Sequence, residues 1–243
     1  MNLLALETST ERLSIAILRG GESFIREVDA GQRHSELALP LLHDLLREAR
    51  LDLPQFDAIA FGQGPGSFTG VRIACGLAQG LALGIGKRLV PVPTQMALAA
   101  QTGATHVIVA IDARMGELYF AAYMQDTAAF GGWRAEVAPM LVKPSALPPL
   151  TGTGWRATGS AFDLAALEVQ MANSYNGQIE SVIHGSLPRA LDVATIARWQ
   201  LQNAGMESAI PPEHAAPLYL RNKVAMTIDE RRDHHAAKAI AAL

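Results

Sequence analysis

Residues 3–17 read LLALETSTERLSIAI, and residues 107–121 read VIVAIDARMGELYFA. Each is an apolar run of strand length, an acidic residue, a short polar turn, a second acidic residue and an apolar return. At one constant offset Ala5 falls on Ala110, Glu7 on Asp112 and Leu13 on Leu118. Repetition over this length predicts two duplicated halves, each opening with a hairpin whose first strand ends in a carboxylate. Two unrelated hairpins that happen to agree are the alternative.

Around the first hairpin the pattern continues. Leu13, Ile15 and Ile17 alternate with Ser14 and Ala16, as in a half-buried strand, Gly20-Gly21 marks a turn, and Phe24–Val28 reads as a third strand. A helix begins near Ser35-Glu36 and carries Leu37, Leu41, Leu42, Leu45 and Leu46 on one face, with Pro40 in its early turns. Ala58–Phe61 and Leu89–Val92 read as further strands, with Thr94 as cap of a helix running to Gln101. The order βββαβαβα predicts an α/β fold with a mixed sheet and helices on both faces.

Between those last two strands lies FGQGPGSFTGVRIACGLAQGLALGIG, residues 61–86: a strand end, a glycine loop and an apolar helix. Pro65 prevents the helix from starting early, and Ser67 or Thr69 can cap it. A helix N-terminus behind a glycine loop is a general anion site, so phosphate contact and a purely structural turn both remain open. The loop is not a Walker motif, GxGxxG is unmatched, and a G-x-S-x-G elbow fails because Pro65 stands where its first glycine belongs. In the helix, Ile73, Leu77, Leu81 and Ile85 form one stripe and Gly76, Gly80 and Gly84 a second. Three interior glycines cost together about 2–3 kcal/mol relative to alanine, and close approach of another backbone would offset that. That backbone belongs either to the parent sheet or to a second subunit. Arg72 and Gln79 interrupt the apolar run, which argues against a membrane span.

The second half is less regular. Tyr119, Phe120 and Tyr123 continue a strand, Trp133–Val142 can hold another, and Pro144, Pro148 and Pro149 punctuate a loop. Leu191–Leu201 reads as a helix, Leu218–Leu220 as a return to the sheet, and the Ala-rich end as a surface helix or frayed tail.

Composition narrows the function. Hydrophobic residues make up 49% and charged residues 18% of the 243, which suits a large core. A net charge of −3 offers no basic footprint for unaided nucleic-acid binding. The single cysteine, Cys75, has no partner for an internal disulfide. A basic leader is absent from MNLLALETSTERLS, so the expected location is the cytoplasm. His34 and His43 lack zinc spacing, and no nucleophile–histidine order stands out. Glu7 and Asp112, with Thr8, Ser9 and Thr10 as hydroxyl partners, are placed as in a cleft for a metal-bound nucleotide; simple turn caps are the alternative.

LETST, GQGPGSFTGVRIACGLAQGLALG, VPTQMALA, AIDARMGELYFAAY, GTGW and PLYLRNKVA, in that order from Asn2 to Ala225, resemble the bacterial TsaB (YeaZ) family. The resemblance implies two duplicated RNase-H-like halves of the actin, sugar-kinase and Hsp70 ATPase type. The first half would span residues 1–103 and carry the interface helices, with a degenerate second half over 104–225 and a tail over 226–243. It further implies a non-catalytic subunit in formation of N6-threonylcarbamoyladenosine in tRNAs reading codons that begin with A. In that family TsaC makes the activated threonylcarbamoyl group, TsaD transfers it, TsaB pairs with TsaD, and TsaE joins as an ATPase. Homodimerisation is expected when the chain is alone, and tRNA is reached only through the complex. No intrinsic cofactor or metal is implied, though ATP or ADP with Mg can sit at the complex interface. Metal-holding relatives carry a histidine pair around the first long helix, of which this chain has only His34. Expected partner-facing residues are Leu37, Leu41, Leu45, Arg72, Ile73, Gly76, Leu77, Gly80, Leu81 and Gly84, and a nucleotide would meet Glu7, Thr8, Ser9 and Asp112. A nucleotide-dependent enzyme of the actin-like fold or a glycoprotease-like peptidase is the competing class.

Overall fold

The structure, a computed structural model, describes residues 1–221. The expected tail over 226–243 lies outside the described residues. The first half runs β1 (Asn2–Glu7), β2 (Arg12–Arg19), β3 (Glu22–Asp29), α1 (His34–Ala49), β4 (Ala58–Gly62), α2 (Phe68–Ile85), β5 (Arg88–Val92) and α3 (Thr94–Gln101). The second runs β6 (His106–Asp112), β7 (Leu118–Gln125), β8 (Trp133–Val142), β9 (Trp155–Thr158), α4 (Ala165–Ser174), β10 (Ile179–Ile183) and α5 (Ala190–Ala204).

Among the described residues two five-stranded sheets result, ordered β3-β2-β1-β4-β5 and β8-β7-β6-β9-β10. In each, the opening strand pairs antiparallel with the second and parallel with the fourth. Glu7 pairs with Ser14, and Asp112 with Leu118, so the two carboxylates hold equivalent places. The repeat read in the sequence is thus a repeat of topology, and the fold is two RNase-H-like halves.

The halves differ where proline intervenes. Between β8 and β9, where the first half has α1, Pro144–Ala146 makes one short turn and Pro148-Pro149 follow without a helix. Leu218–Leu220, expected as a strand, is irregular. One hydrogen bond, from Leu218 N to Gln63 O at 2.7 Å, ties it to the first half without building a ladder.

Period-two alternation divides the first sheet between two cores. Leu4, Leu6, Leu13, Ile15 and Ile17 face α1 and α2, while Leu3, Ala5, Ala16 and Leu18 face the interior between the sheets. Strand β2 is therefore buried on both faces, where the sequence pattern predicts one. The covering of the inner faces is exchanged: α5, from the second half, packs on β1, β2 and β4, and α3, from the first, packs on β6 and β7. Ser14 fastens this exchange, its Oγ accepting from Ala190 N at 2.8 Å and donating to Glu27 Oε1 at 3.1 Å.

Helix α2 starts at Ser67, whose Oγ accepts from Gly70 N at 3.4 Å, and ends at Gly86, where φ of 65° turns the chain out of the helix. Its length and composition are those of a helix able to cross a membrane, but Ala74, Cys75, Ala78 and Ala82 are buried in the core beneath it. Small side chains bring it close to the sheet, and they are alanines. The three glycines point the other way: among the described residues, a Cβ on Gly76, Gly80 or Gly84 would meet nothing within 4 Å. Packing of the glycine stripe on the parent sheet is thereby excluded.

Candidate functional site

The glycine loop after β4 and the LETST turn after β1 are built into each other. A Cβ on Gly62 would overlap the Glu7 carboxylate, one on Gly70 would overlap the Thr8 carbonyl, and one on Gly66 would lie 2.6 Å from Ser9 Cβ and O. Hydrogen bonds close the joint: Ser67 N donates to Ser9 O at 2.7 Å, and Thr8 Oγ1 donates to Gly70 O at 2.7 Å. The donors that an anion would need at the start of α2 are in part already engaged within the chain.

Glu7 is buried inside this joint. Its Oε1 accepts from Ser9 N at 2.7 Å and its Oε2 from Thr94 Oγ1 at 3.1 Å. Burial raises its carboxyl above the ordinary carboxylate range, against the lowering effect of the hydrogen bonds from Ser9 and Thr94. Thr94 therefore binds Glu7 where the sequence predicts a helix cap, and Pro93 occupies the cap position of α3. Glu7 and Thr8, expected to meet a nucleotide, are both buried, and neither is among the residues that line the opening between the halves.

The opening is a cleft of about 750 Å³ between the halves. Of the four expected nucleotide residues, Ser9 and Asp112 line it, beside Ser67, Phe68, Arg114 and Ser160. Asp112 lies at the end of β6, where its Oδ1 accepts from Arg114 N at 2.8 Å and its Oδ2 faces Arg114 Nη1 at 3.3 Å. The bond from residue i+2 to the carboxylate recurs at Glu7 and Ser9, so the repeat extends to the turn chemistry. Among the described residues no group of three histidine, cysteine, aspartate or glutamate side chains could hold a metal. His34 is buried at the start of α1, and among the described residues its Nε2 has no hydrogen-bond partner.

A second feature is the outward face of α1 and α2. Gly76, Gly80 and Gly84 are exposed, and Ile73, Leu77, Leu81, Ile85, Leu37 and Leu41 are half-buried along its edges. Leu45, expected on this face, is fully buried in the core and has no surface to offer. Large apolar side chains that the sequence reading passed over stand in the open instead: Leu39 is 54%, Phe68 50% and Leu83 63% exposed. Leu83 was findable, because it lies three residues beyond Gly80 on the same helical stripe. Arg72, also on this helix, places its guanidinium 3.2 Å from the Phe68 ring centroid and 4.8 Å from that of Tyr219.

Two equivalent RNase-H-like sheets with exchanged last helices and a cleft between them define a protein of the actin, sugar-kinase and Hsp70 ATPase class. Residues 27–228 match the family model described as TsaD, tRNA N6-adenosine threonylcarbamoyltransferase. The chain is 36% identical over 239 residues to the tRNA threonylcarbamoyladenosine biosynthesis protein TsaB of Escherichia coli K12, covering 93% of this chain and 96% of that protein. The TsaB of Haemophilus influenzae is likewise 36% identical, over 92% of this chain and 95% of its own. In three dimensions it superposes on a Pseudomonas aeruginosa protein described as similar to peptidase YEAZ, with TM-score 0.79, 32% identity, and coverage of 90% of this chain and 99% of that one. This chain belongs to the TsaB (YeaZ) family.

Proposed function

We propose that this protein is a non-catalytic subunit in the cytoplasmic formation of N6-threonylcarbamoyladenosine on tRNA, acting by pairing with the TsaD transferase. The observation that carries the proposal is the stripe of Gly76, Gly80 and Gly84, uncovered among the described residues, with Leu83 and Phe68 exposed on the same helix. A patch of this kind is the mark of a protein interface. A helix without side chains along one stripe lets a partner helix cross at close range, and α1 beside α2 supplies half of a four-helix contact. TsaD is the occupant proposed because its own family model matches this chain, so two related folds would meet through equivalent helices. The contact would use Leu37 and Leu41 of α1 and Arg72, Ile73, Gly76, Leu77, Gly80, Leu81 and Gly84 of α2, with Leu45 supporting from beneath. A second copy takes TsaD's place when the chain is alone. TsaE is the third partner, and tRNA is reached through the assembly, in keeping with a net charge of −3.

Reconstituted tRNA modification, run with capture of TsaD, tests this. Gly80→Leu is expected to stay folded, to lose TsaD capture and to lower modification at least tenfold. Undiminished capture and modification by that variant would overturn the proposal. The cleft beside Asp112 and Ser9 supports a second reading, in which ATP or ADP with Mg binds there or at the seam with TsaD. Full modification by Asp112→Ala would remove the reading at the cleft, while its loss with TsaD capture intact would favour it.

A further inference from the structure

After α5 the chain doubles back over the first half. Arg88 Nη1 donates to Ala209 O at 2.7 Å, Leu89 and Ile210 exchange backbone hydrogen bonds at 2.8 Å, and Gln79 Nε2 holds the carbonyls of Pro212 and Ala215 at 2.9 and 3.1 Å. Leu218 N then bonds Gln63 O, and the next residues pass along the cleft to the other half. There Arg221 meets the turn between β6 and β7. Its Nη2 lies 2.8 Å from Glu117 Oε2, 3.0 Å from Ala113 O and 3.5 Å from Arg114 O.

That turn is an unusual receptor. Arg114, Met115 and Gly116 have φ of 63°, 57° and 73°, three left-handed residues in succession, of which two carry a Cβ. Left-handed backbone is disfavoured for such residues, so the turn depends on what holds it. Within the turn Ala113 N donates to Glu117 O at 3.0 Å and Glu117 N to Arg114 O at 3.1 Å. From outside comes Arg221, its ion pair with Glu117 mostly shielded from solvent, the side chains 14% and 25% exposed. A planar guanidinium with several donors can serve a carboxylate and neighbouring carbonyls together, which a lysine cannot do as well.

We propose that Leu218–Arg221 is a strap that fastens the two halves across the cleft, with Arg221 as the pin that holds the β6–β7 turn in its left-handed form. One end is bonded to the glycine loop of the first half and the other to the turn that carries Asp112 and Arg114 at the cleft wall. Among the described residues the segment forms no helix or ladder, and these attachments hold it in place. Withdrawal of the pin would free the turn and widen the range of angles between the halves.

Arg221→Met keeps the aliphatic stem and removes the donors; Glu117→Gln keeps the fold of the turn and removes the ion pair. In the full chain, hydrogen exchange at the amides of Ala113, Arg114 and Glu117 is expected to accelerate at least tenfold in Arg221→Met and less, in the same direction, in Glu117→Gln. Spin labels on cysteines placed at Ser23 and Glu180, in a Cys75→Ala background, are expected to show a broader distance distribution in Arg221→Met. Unchanged exchange at the turn with an unchanged distribution would overturn the strap. Should Arg221→Met fail to fold, Glu117→Gln decides alone, and its unchanged exchange would count against the proposal.

Discussion

The Glu7 carboxylate fills the place where a side chain on Gly62 would stand. Gly62→Ala therefore has to displace a buried, hydrogen-bonded group, and a loss of about 1–3 kcal/mol is expected, the usual range for overpacking a core. A urea midpoint measures it. Glu7→Ala vacates that space, so the double variant is expected to lose less than the two single losses combined. Strict additivity would show that the two residues do not compete.

Burial raises the Glu7 pKa above its unfolded value, so the folded state holds the proton more tightly than the unfolded chain. The stability that this proton confers is complete below the unfolded pKa and is lost as pH rises through the raised folded pKa. Glu7→Gln, permanently uncharged and nearly the same shape, is expected to gain stability over the parent as pH rises from acid to neutral. A difference between the two that is the same at every pH would show that Glu7 does not titrate in this way.

Ser14 is fully buried and joins the halves by accepting from Ala190 N. Removing the hydroxyl leaves that backbone donor without its partner, at an expected cost of about 1–3 kcal/mol for Ser14→Ala. The Ala190 amide should exchange faster in the variant, and an unchanged urea midpoint would refute the linkage.

Gly76 lies in the interior of α2 and Gly84 in its last turn, and among the described residues a methyl group on either would have nothing within 4 Å. Replacing either by alanine is expected to stabilise the isolated protein by about 0.5–1 kcal/mol, because the unfolded glycine has more freedom to lose. Thermal unfolding at low protein concentration checks the sign; a fall in the midpoint would mean that the glycines serve the monomer.

Much of the fold was legible in the opening hairpin and its echo. Glu7 and Asp112 hold equivalent ends of equivalent strands because a hairpin is a local object whose alternation and turn residues are written side by side. The glycines of α2 were legible as a stripe, but which side of the helix they lie on depends on whether alanine or glycine meets the sheet, and both are small. Leu45 and Leu41 differ by one helical turn and look alike in sequence, yet Leu45 is fully buried in the core and Leu41 only half-buried. The exchange of α3 and α5, and the course of Leu218–Arg221, rest on contacts between residues far apart in the chain, such as Ser14 with Ala190, and no periodicity encodes them.

The exchanged helices also set an order of events during synthesis. The first sheet emerges from the ribosome with Leu3, Ala5, Ala16 and Leu18 laid out on one side, yet the helix that shelters them, led by Ala190 and Val193, is translated only after a whole second sheet. For that interval the nascent chain carries an apolar wall whose own cover has yet to be made, and neither half is a finished object until the last helix arrives.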